Sequence, residues 1–306
     1  MPTRSEFATW LAGAGAFIRT GPFTIHARTP IAHAIEGITA LYDGYPVTPA
    51  EPFADFHVAL MPSGGVRRFM RRQVDFEFDG EKPYRPLPLD QALPMFEWGL
   101  NAVIGGVAHQ FLIVHAAVVA RDGFAAILPA QSGSGKSTLC AALVNRGWRL
   151  LSDELTLLSI ETGLIRPLAR PMNLKNQSID IIRDFVPGAV LSRPTHDTVK
   201  GTVALLKAPQ DSVVRAQETA RPAWIIAPRW ERGTACTLTP KSRAETMIEL
   251  GQNAFNYSVH GRRGFHLLAD VVERCACFDF RYSALDDAIA TFASLPVPDA
   301  ARDRPA

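Results

Sequence analysis

The segment A-Q-S-G-S-G-K-S-T at residues 130–138 constrains this chain more than any other stretch. It follows the apolar run FAAIL at 124–128 and precedes a segment with apolar residues at helical spacing, so we predict a strand, a loop and a helix in that order. Gly133 and Gly135 allow the backbone to curl and to point successive N–H groups inward. Ala130 stands where the strict pattern has glycine. The segment therefore predicts a phosphate-binding loop.

We expect the predicted loop to bind a nucleoside triphosphate together with Mg²⁺. Its backbone N–H groups and the positive end of the following helix contact phosphate oxygens. Lys136 reaches the β and γ phosphates, and the Ser137 hydroxyl ligates Mg²⁺. The candidate nucleotide-binding residues are Ala130, Gln131, Ser132, Gly133, Ser134, Gly135, Lys136, Ser137 and Thr138.

Two acidic residues, Asp153 and Glu154, follow the next predicted strand at 148–152. A strand–loop–helix–strand unit is expected to place its two strands side by side and parallel, with both carboxyl ends at one edge of the sheet. One carboxylate would then bind Mg²⁺, directly or through water, and the other would accept a proton from an attacking hydroxyl. A surface acid pair at a turn is the alternative interpretation.

His115 lies in a predicted strand at 111–119, ahead of a hairpin turn at 121–123 and the strand that enters the loop. A single histidine among apolar residues is usually a core residue. Its position alone therefore leaves a structural and a functional role both open.

Together, His115, the loop at 130–137 and L-L-S-D-E at 150–154 resemble the catalytic domain of bacterial HPr kinase/phosphorylase. The segments R-G-W-R-L-L-S-D-E and N-A-F-N-Y most resemble the group called HPr kinase-related kinases. The resemblance covers 109 to about 292, and we expect it to extend over the whole chain. It implies an α/β fold with a phosphate-binding core like that of phosphoenolpyruvate carboxykinase.

The resemblance also implies transfer of the γ-phosphoryl group of ATP to a serine hydroxyl. Asp153 would be the catalytic base, Glu154 the second acid and His115 an active-site partner of both acids, with Lys136 at the phosphates and with Ser137, Asp153 and Glu154 at the metal. Glu154 replaces an aspartate of the HPr enzyme, and that enzyme's signature E-I-R-G is replaced by R-P-L-A-R-P-M-N-L-K-N at 166–176. Arg166, Arg170 and Lys175 in that stretch would contact phosphate or an acidic substrate, or form a solvated basic surface.

The 306 residues, 47% of them apolar, suffice for two domains. We predict a smaller N-terminal mixed α/β domain at 1–88 with an accessory or substrate-recognition role, ending in a proline-rich linker. An HPr kinase-like domain follows at 89–295, in which residues 242–257 have the apolar spacing of one helix. Residues 296–306, rich in Pro, Asp and Arg, are predicted to be a disordered tail.

Charge and cysteine content limit the partners. The chain has 32 Lys and Arg residues and 30 Asp and Glu residues, which gives a net charge of +2. This balance gives no electrostatic reason to expect nucleic acid or an anionic membrane as a binding partner. Four cysteines without metal-like spacing suit a reducing cytosol. No stretch reaches the roughly 18 uncharged apolar residues that span a bilayer. The sequence predicts a cytoplasmic protein, and the resemblance is compatible with a homo-oligomer.

These features predict an ATP- and Mg²⁺-dependent serine kinase whose acceptor is a protein or peptide. Two alternatives remain. A kinase of free serine or another small hydroxyl compound would use the same residues. A nucleotide-dependent regulatory or scaffold ATPase would keep the loop and would hydrolyse ATP without an acceptor.

Overall fold

The computed structural model describes residues 2–65, 71–131 and 133–302. Two compact units divide the chain. The first comprises Met1–Val103, Arg170–Arg183 and Pro187–Val214, and the second comprises Ile104–Ala169, Asp184–Val186 and Arg215–Ala306. The chain therefore returns to the first unit after it has entered the second. The functional boundaries at residues 88 and 295 stay predictions.

One sheet of the first unit has the strand order β3-β1-β2-β4-β5-β6. Its strands are β1 (Ala16–Thr20), β2 (Phe23–Arg28), β3 (Val47–Thr48), β4 (Phe56–Pro62), β5 (Gln73–Phe78) and β6 (Leu87–Pro88). β2 and β4 pair in parallel, and the other neighbours are antiparallel. β1 and β2 alternate buried with more exposed residues, so one face of this sheet packs on the core.

The first unit opens with helix α1 (Arg4–Ala12), which begins with a capping box. The Thr3 hydroxyl accepts from the Glu6 N–H at 3.2 Å, and the Glu6 carboxylate accepts from the Thr3 N–H at 2.7 Å. Helix α2 (Ala32–Leu41) follows, and helix α3 (Ala92–Val107), after a 3₁₀ turn at Leu89–Gln91, begins in the first unit and ends in the second. Leu11 and Ile38 on the inner faces of α1 and α2 are buried with the sheet.

A second sheet of the first unit has the order β12-β14-β13. It consists of β12 (Met172–Lys175), β13 (Thr195–Thr198) and β14 (Gly201–Leu206), and helices α5 (Gln177–Phe185) and α6 (Gln210–Val214) accompany it along the chain. Arg170 precedes this sheet and is buried. Its Nη2 lies 2.6 Å from the Glu97 carboxylate, which also accepts from the Tyr42 hydroxyl at 2.7 Å. The prediction of a phosphate-contacting or solvated Arg170 is wrong, because Glu97 already compensates its charge inside the unit.

In the described part of the second unit, eight strands form one mixed sheet of order β11-β10-β7-β8-β15-β17-β16, with β9 also paired to β7. The strands are β7 (Phe111–Arg121), β8 (Phe124–Pro129), β9 (Arg149–Ser152), β10 (Leu155–Ser159), β11 (Ile165–Arg166), β15 (Arg221–Trp230), β16 (Thr237–Pro240) and β17 (Ala276–Tyr282). β8, β15 and β17 are parallel to one another, whereas β7 is antiparallel to its neighbours. The protein is thus of the mixed α/β class.

Strand β7 occupies the interior of this sheet. Ala116, Ala117 and Val118 are fully buried, as expected for a strand covered on both faces. Asp122 and Gly123 turn the chain into β8 with φ angles of +52° and +81°, which fit a tight hairpin. The predicted strand, turn and strand are confirmed.

The predicted arrangement of β8 and β9 is wrong in one respect. The two strands run in the same direction, but they are not neighbours, because β7 lies between them and pairs with both. β7 is 11 residues long and so provides backbone groups for β8 on one edge and for β9 and β10 on the other.

The helices of the second unit correct two further predictions. They are α4 (Lys136–Val144), α7 (Arg243–Gln252), α8 (Tyr257–Arg274), α9 (Leu285–Ala293) and α10 (Asp299–Arg302). The helix predicted at 242–257 stops at Gln252, because the next four residues bond to β7 instead.

The predicted disordered tail is ordered as far as the structure describes it. The Pro296 carbonyl accepts from the Trp224 indole at 2.9 Å, and Ala301 in α10 is buried. Residues 303–306 of that prediction lie outside the described residues. Among the residues that are described, no helix combines the length and apolar character needed to cross a membrane.

Candidate active site

The loop between β8 and α4 has the curled backbone that its glycines predict. Gly133 and Gly135 adopt φ angles of +90° and +89°, in the left-handed region that favours glycine. The Ser134 N–H donates to the Gln131 carbonyl at 3.3 Å, and Ala130 is buried at the end of the strand. Ser132 lies outside the described residues. The loop therefore turns sharply at both glycines before the helix begins.

The last residues of strands β15 and β17 form hydrogen bonds with backbone carbonyls of this loop. The Trp230 N–H donates to the Ser134 carbonyl at 2.8 Å, and the Tyr282 hydroxyl donates to the Gly135 carbonyl at 2.9 Å. Trp230 and Tyr282 end the parallel strands β15 and β17 and are register partners. Sequence reasoning missed both residues. They could have been found from the rule that neighbouring parallel strands, here β8, β15 and β17, end at the same edge of a sheet.

Helix α4 begins at Lys136, directly after the second glycine. Lys136 is buried, whereas Ser137 and Thr138 are half-buried. Burial raises the pKa of the Cys140 thiol in this helix well above its usual range; the Asp153 charge raises it further and the Lys136 charge lowers it. Because both charges act on the same buried thiol, Lys136 and Asp153 lie in one neighbourhood beside α4.

Asp153 and Glu154 occupy a break between β9 and β10. The Ser152 hydroxyl accepts from the Leu155 N–H at 2.9 Å and from the Glu154 N–H at 3.3 Å, which fixes the turn. Asp153 is 6% exposed and Glu154 is half-buried. The acids are therefore held by a defined turn, and the interpretation as a freely solvated surface pair does not describe Asp153.

The register along β7 brings the predicted residues together. Ser152 pairs with Val118 and Leu155 pairs with His115, so the two acids lie opposite the short stretch of β7 between those partners. On the other edge of β7, Ala116 pairs with Pro129, the last residue before the loop. The loop, the acid pair and His115 thus lie at one level of the sheet.

β8 pairs only with residues 116–121 of β7. The segment N-A-F-N at 253–256 forms hydrogen bonds with the remaining residues, 111–115, along the same edge of β7. The His115 N–H donates to the Asn253 carbonyl at 2.8 Å, and the Phe255 N–H donates to the Ile113 carbonyl at 2.9 Å. The buried Asn256 side chain accepts from the Ile113 N–H at 3.0 Å and donates to the Phe111 carbonyl at 2.8 Å. This segment therefore fixes the position of the β7 backbone at His115.

Phe255 is the side chain from this segment that approaches the site. Its ring centre lies 5.8 Å from that of His115, and the residue remains 54% exposed. Sequence reasoning assigned Phe255 to the apolar face of a helix and so missed it as a site residue. Phe255 therefore presents partly exposed apolar surface beside His115.

The residues present fit a nucleotide with Mg²⁺. A Cβ added at Gly133 would meet no described atom within 4 Å, so that side of the loop is open, and the buried Ser134 hydroxyl has no hydrogen-bond partner among the described residues. Ser137, Asp153 and Glu154 offer the oxygen ligands that Mg²⁺ prefers. Within the described ranges, no group of three or more His, Cys, Asp or Glu could hold a metal by itself. A metal here would need oxygens from phosphates.

Comparison with known proteins adds little to this geometry. No protein-family model matches the chain, and no curated protein matches it. Among solved structures, the chain is similar to the structure of the Hpr(Ser) kinase/phosphatase from Coxiella burnetii, with 11% identity and a TM-score of 0.26, over 59% of this chain and 95% of that one. A likeness this weak carries no argument about activity. The functional assignment therefore rests on the site itself.

Proposed function

We propose that this protein is a kinase that transfers the γ-phosphoryl group of ATP, with Mg²⁺, to a serine hydroxyl of a protein or peptide. The observation that carries the proposal is the register of β7, along which the phosphate-binding loop, the acid pair and His115 reach one level of the sheet. A loop alone would suit any nucleotide-binding protein. A loop beside two carboxylates also offers a base for an acceptor hydroxyl.

The loop residues would bind the triphosphate. The first N–H groups of α4 have no acceptor within the helix and are available to phosphate oxygens, where the helix dipole adds attraction. Lys136 would place its charge against the β and γ phosphates, and Ser137 would offer its hydroxyl to the metal. Bound Mg²⁺ would neutralise phosphate charge. Trp230 and Tyr282 support this role by holding the carbonyls of Ser134 and Gly135 on the opposite side.

The acid pair would divide two tasks. Asp153 would take the proton of the acceptor hydroxyl as its oxygen forms the bond to phosphorus and the bond to the ADP oxygen breaks. Glu154, more exposed, would hold the metal with Ser137. His115 would orient the acids from the neighbouring strand, where its own backbone is bonded to Asn253.

A polypeptide acceptor is supported by the surface beside His115. Phe255 exposes just over half of its surface at this point. A free amino acid would gain little from such an apolar side chain, whereas a peptide could cover it while its serine reaches Asp153.

The test uses γ-labelled ATP and Mg²⁺ with purified protein in lysate of the source organism. The native chain should label one discrete protein or peptide, and Asp153→Asn should lower that labelling about 10²- to 10⁴-fold, the range for loss of a general base. Asp122→Asn, the same change at an exposed hairpin turn, is the matched control and should label as the native chain does.

The same experiment separates the alternatives. Labelled phosphoserine formed from added free serine would indicate a small-molecule kinase. Steady phosphate release by the native chain with no labelled acceptor would favour the regulatory ATPase and would refute the kinase.

A further inference from the structure

The first unit holds a pair of histidines that the proposed kinase chemistry does not use. His26 in β2 and His57 in β4 are register partners on neighbouring parallel strands, so their side chains leave the same face of the sheet. Their Nδ1 atoms lie 3.2 Å apart, and their ring centres lie 5.1 Å apart. His57 is exposed and His26 half-buried, so ions in solution can reach the pair.

The protonation of His26 follows from its other nitrogen. Nε2 lies 3.0 Å from the Ala14 carbonyl, which can only accept, so Nε2 carries a hydrogen. Burial lowers the pKa of His26, and the nearby His57 and Arg28 lower it further, although the Ala14 bond opposes them. Since Nε2 carries the hydrogen of the neutral His26 ring, its Nδ1 is bare and faces His57, and in this tautomer the Nδ1–H of His57 donates to it.

The backbone beside His26 is adapted to this contact. Gly15 has a φ of +112°, and a Cβ at this position would collide with the His26 ring. Glycine therefore allows the Ala14 carbonyl to approach Nε2. A ring nitrogen that donates to a backbone carbonyl while the other nitrogen is bare is the arrangement found at metal-ligating histidines, where the carbonyl fixes the tautomer.

The separation of the two Nδ1 atoms suits a shared metal ion. Zn²⁺ binds imidazole nitrogen at about 2.0–2.1 Å with tetrahedral angles, which places two ligand nitrogens about 3.3–3.4 Å apart and their ring centres about 5 Å apart. The observed 3.2 Å and 5.1 Å are close to both values. Binding would thus need little movement of either ring.

We propose that His26 and His57 form a binding site for a divalent transition-metal ion such as Zn²⁺, with each ring ligating through Nδ1. The ion replaces the proton now shared between the two atoms, and that proton passes through solvent to Nε2 of His57, so both rings remain neutral. Within the described ranges no third His, Cys, Asp or Glu joins the pair. Water completes the coordination, and bound metal ties β2 to β4.

Titration calorimetry of the tag-free full chain with Zn²⁺ tests the site. One ion per chain is expected, His57→Gln should weaken its binding at least about tenfold, as loss of a ligand or of its support does, and the metal should raise the unfolding temperature of the native chain but not of His57→Gln. His266→Gln, a change at an exposed histidine of α8, is the matched control and should bind as the native chain does.

A spectroscopic measurement on the native chain needs no variant. Cu²⁺ bound at the pair should show electron-paramagnetic nitrogen couplings from two imidazoles, because imidazole is a good ligand for this ion. Coupling to one imidazole or none, no binding of Zn²⁺, or equal binding by native chain and His57→Gln would each overturn the proposal.

Discussion

Gly133 and Gly135 have nearly the same φ angle, +90° and +89°, but different surroundings. A Cβ added at Gly133 meets no described atom within 4 Å. A Cβ added at Gly135 would lie 2.5 Å from the Tyr282 hydroxyl and 2.9 Å from the Trp230 Cβ. An alanine at either position therefore has to adopt an unfavourable positive φ, but only an alanine at Gly135 also collides with neighbouring atoms.

The two effects can be separated by magnitude. Left-handed backbone costs an alanine about 1–2 kcal/mol, and forcing a methyl group into a packed site costs about 1–3 kcal/mol more. Gly133→Ala should lower the free energy of unfolding by about 1–2 kcal/mol and Gly135→Ala by about 2–5 kcal/mol. Tyr282→Phe removes the hydroxyl that lies closest to the added Cβ, and the ring carbon behind it lies at 3.4 Å. In this background, part of the extra destabilisation by Gly135→Ala over Gly133→Ala should therefore disappear.

Urea unfolding followed by far-ultraviolet circular dichroism measures the free energy of unfolding of each variant. The variants are Gly133→Ala, Gly135→Ala, Tyr282→Phe and the double variant that combines Gly135→Ala with Tyr282→Phe. Tyr282→Phe alone should cost only about 0.5–1.5 kcal/mol, because the Gly135 carbonyl keeps its bond from the Leu139 N–H at 2.9 Å. Equal destabilisation by the two alanines, or no recovery in the double variant, would refute the argument that Tyr282 and Trp230 clamp the loop.

Three further predictions concern other parts of the structure. Asn256→Ala strands the buried Ile113 N–H, whereas the Phe111 carbonyl keeps its bond from the His260 ring at 3.0 Å, so the free energy of unfolding should fall by about 1–3 kcal/mol in urea. Asn145→Ala, at a half-exposed helix end, should lower it by less than about 1 kcal/mol. Glu97→Gln leaves the Arg170 guanidinium buried without its counter-charge and should cost about 3–5 kcal/mol, against less than about 1 kcal/mol for Glu36→Gln in an exposed pair; similar losses would contradict this. Burial lowers the pKa of His26 in the folded chain, so between the unfolded and folded pKa values the unfolded chain binds a proton more readily than the folded chain does. Thermal stability should therefore fall as the pH drops below about 6.5, the ordinary pKa of histidine. His26→Gln should flatten that slope and His266→Gln should not.

The loop could be predicted from the sequence because its determinants are local. Gly133 and Gly135 impose the turn, the apolar run before them forms β8, and the helical spacing of apolar residues after Lys136 indicates α4. The hairpin at Asp122 and Gly123 was equally evident. In each case the conformation follows from neighbours within a few residues.

The remaining parts of the site depend on distant pairings. Nothing local shows that β7 separates β8 from β9, or that Trp230 and Tyr282 reach the loop carbonyls. The helix predicted through residues 253–256 failed because Ala254 and Phe255 have helical spacing by chance. The asparagines on either side of them carried the contrary signal, since short amide side chains bond readily to backbone groups outside helices.

The buried pair of Arg170 and Glu97 could not be found from the sequence either. The two residues are 73 positions apart, and a basic residue in a polar stretch is normally solvated. Only the fold shows that the charge of Arg170 is neutralised within the first unit.

The break that carries Asp153 and Glu154 constrains how this chain can change by insertion or deletion. The pairings of Ser152 with Val118 and of Leu155 with His115 leave room for two residues between them. One residue more or fewer would slip β10 along β7, reverse the faces of its side chains and part the Thr156 hydroxyl from the Ala116 carbonyl that it bonds at 3.1 Å. Relatives of this protein should therefore exchange one acid for another at these positions long before they alter the length of the turn.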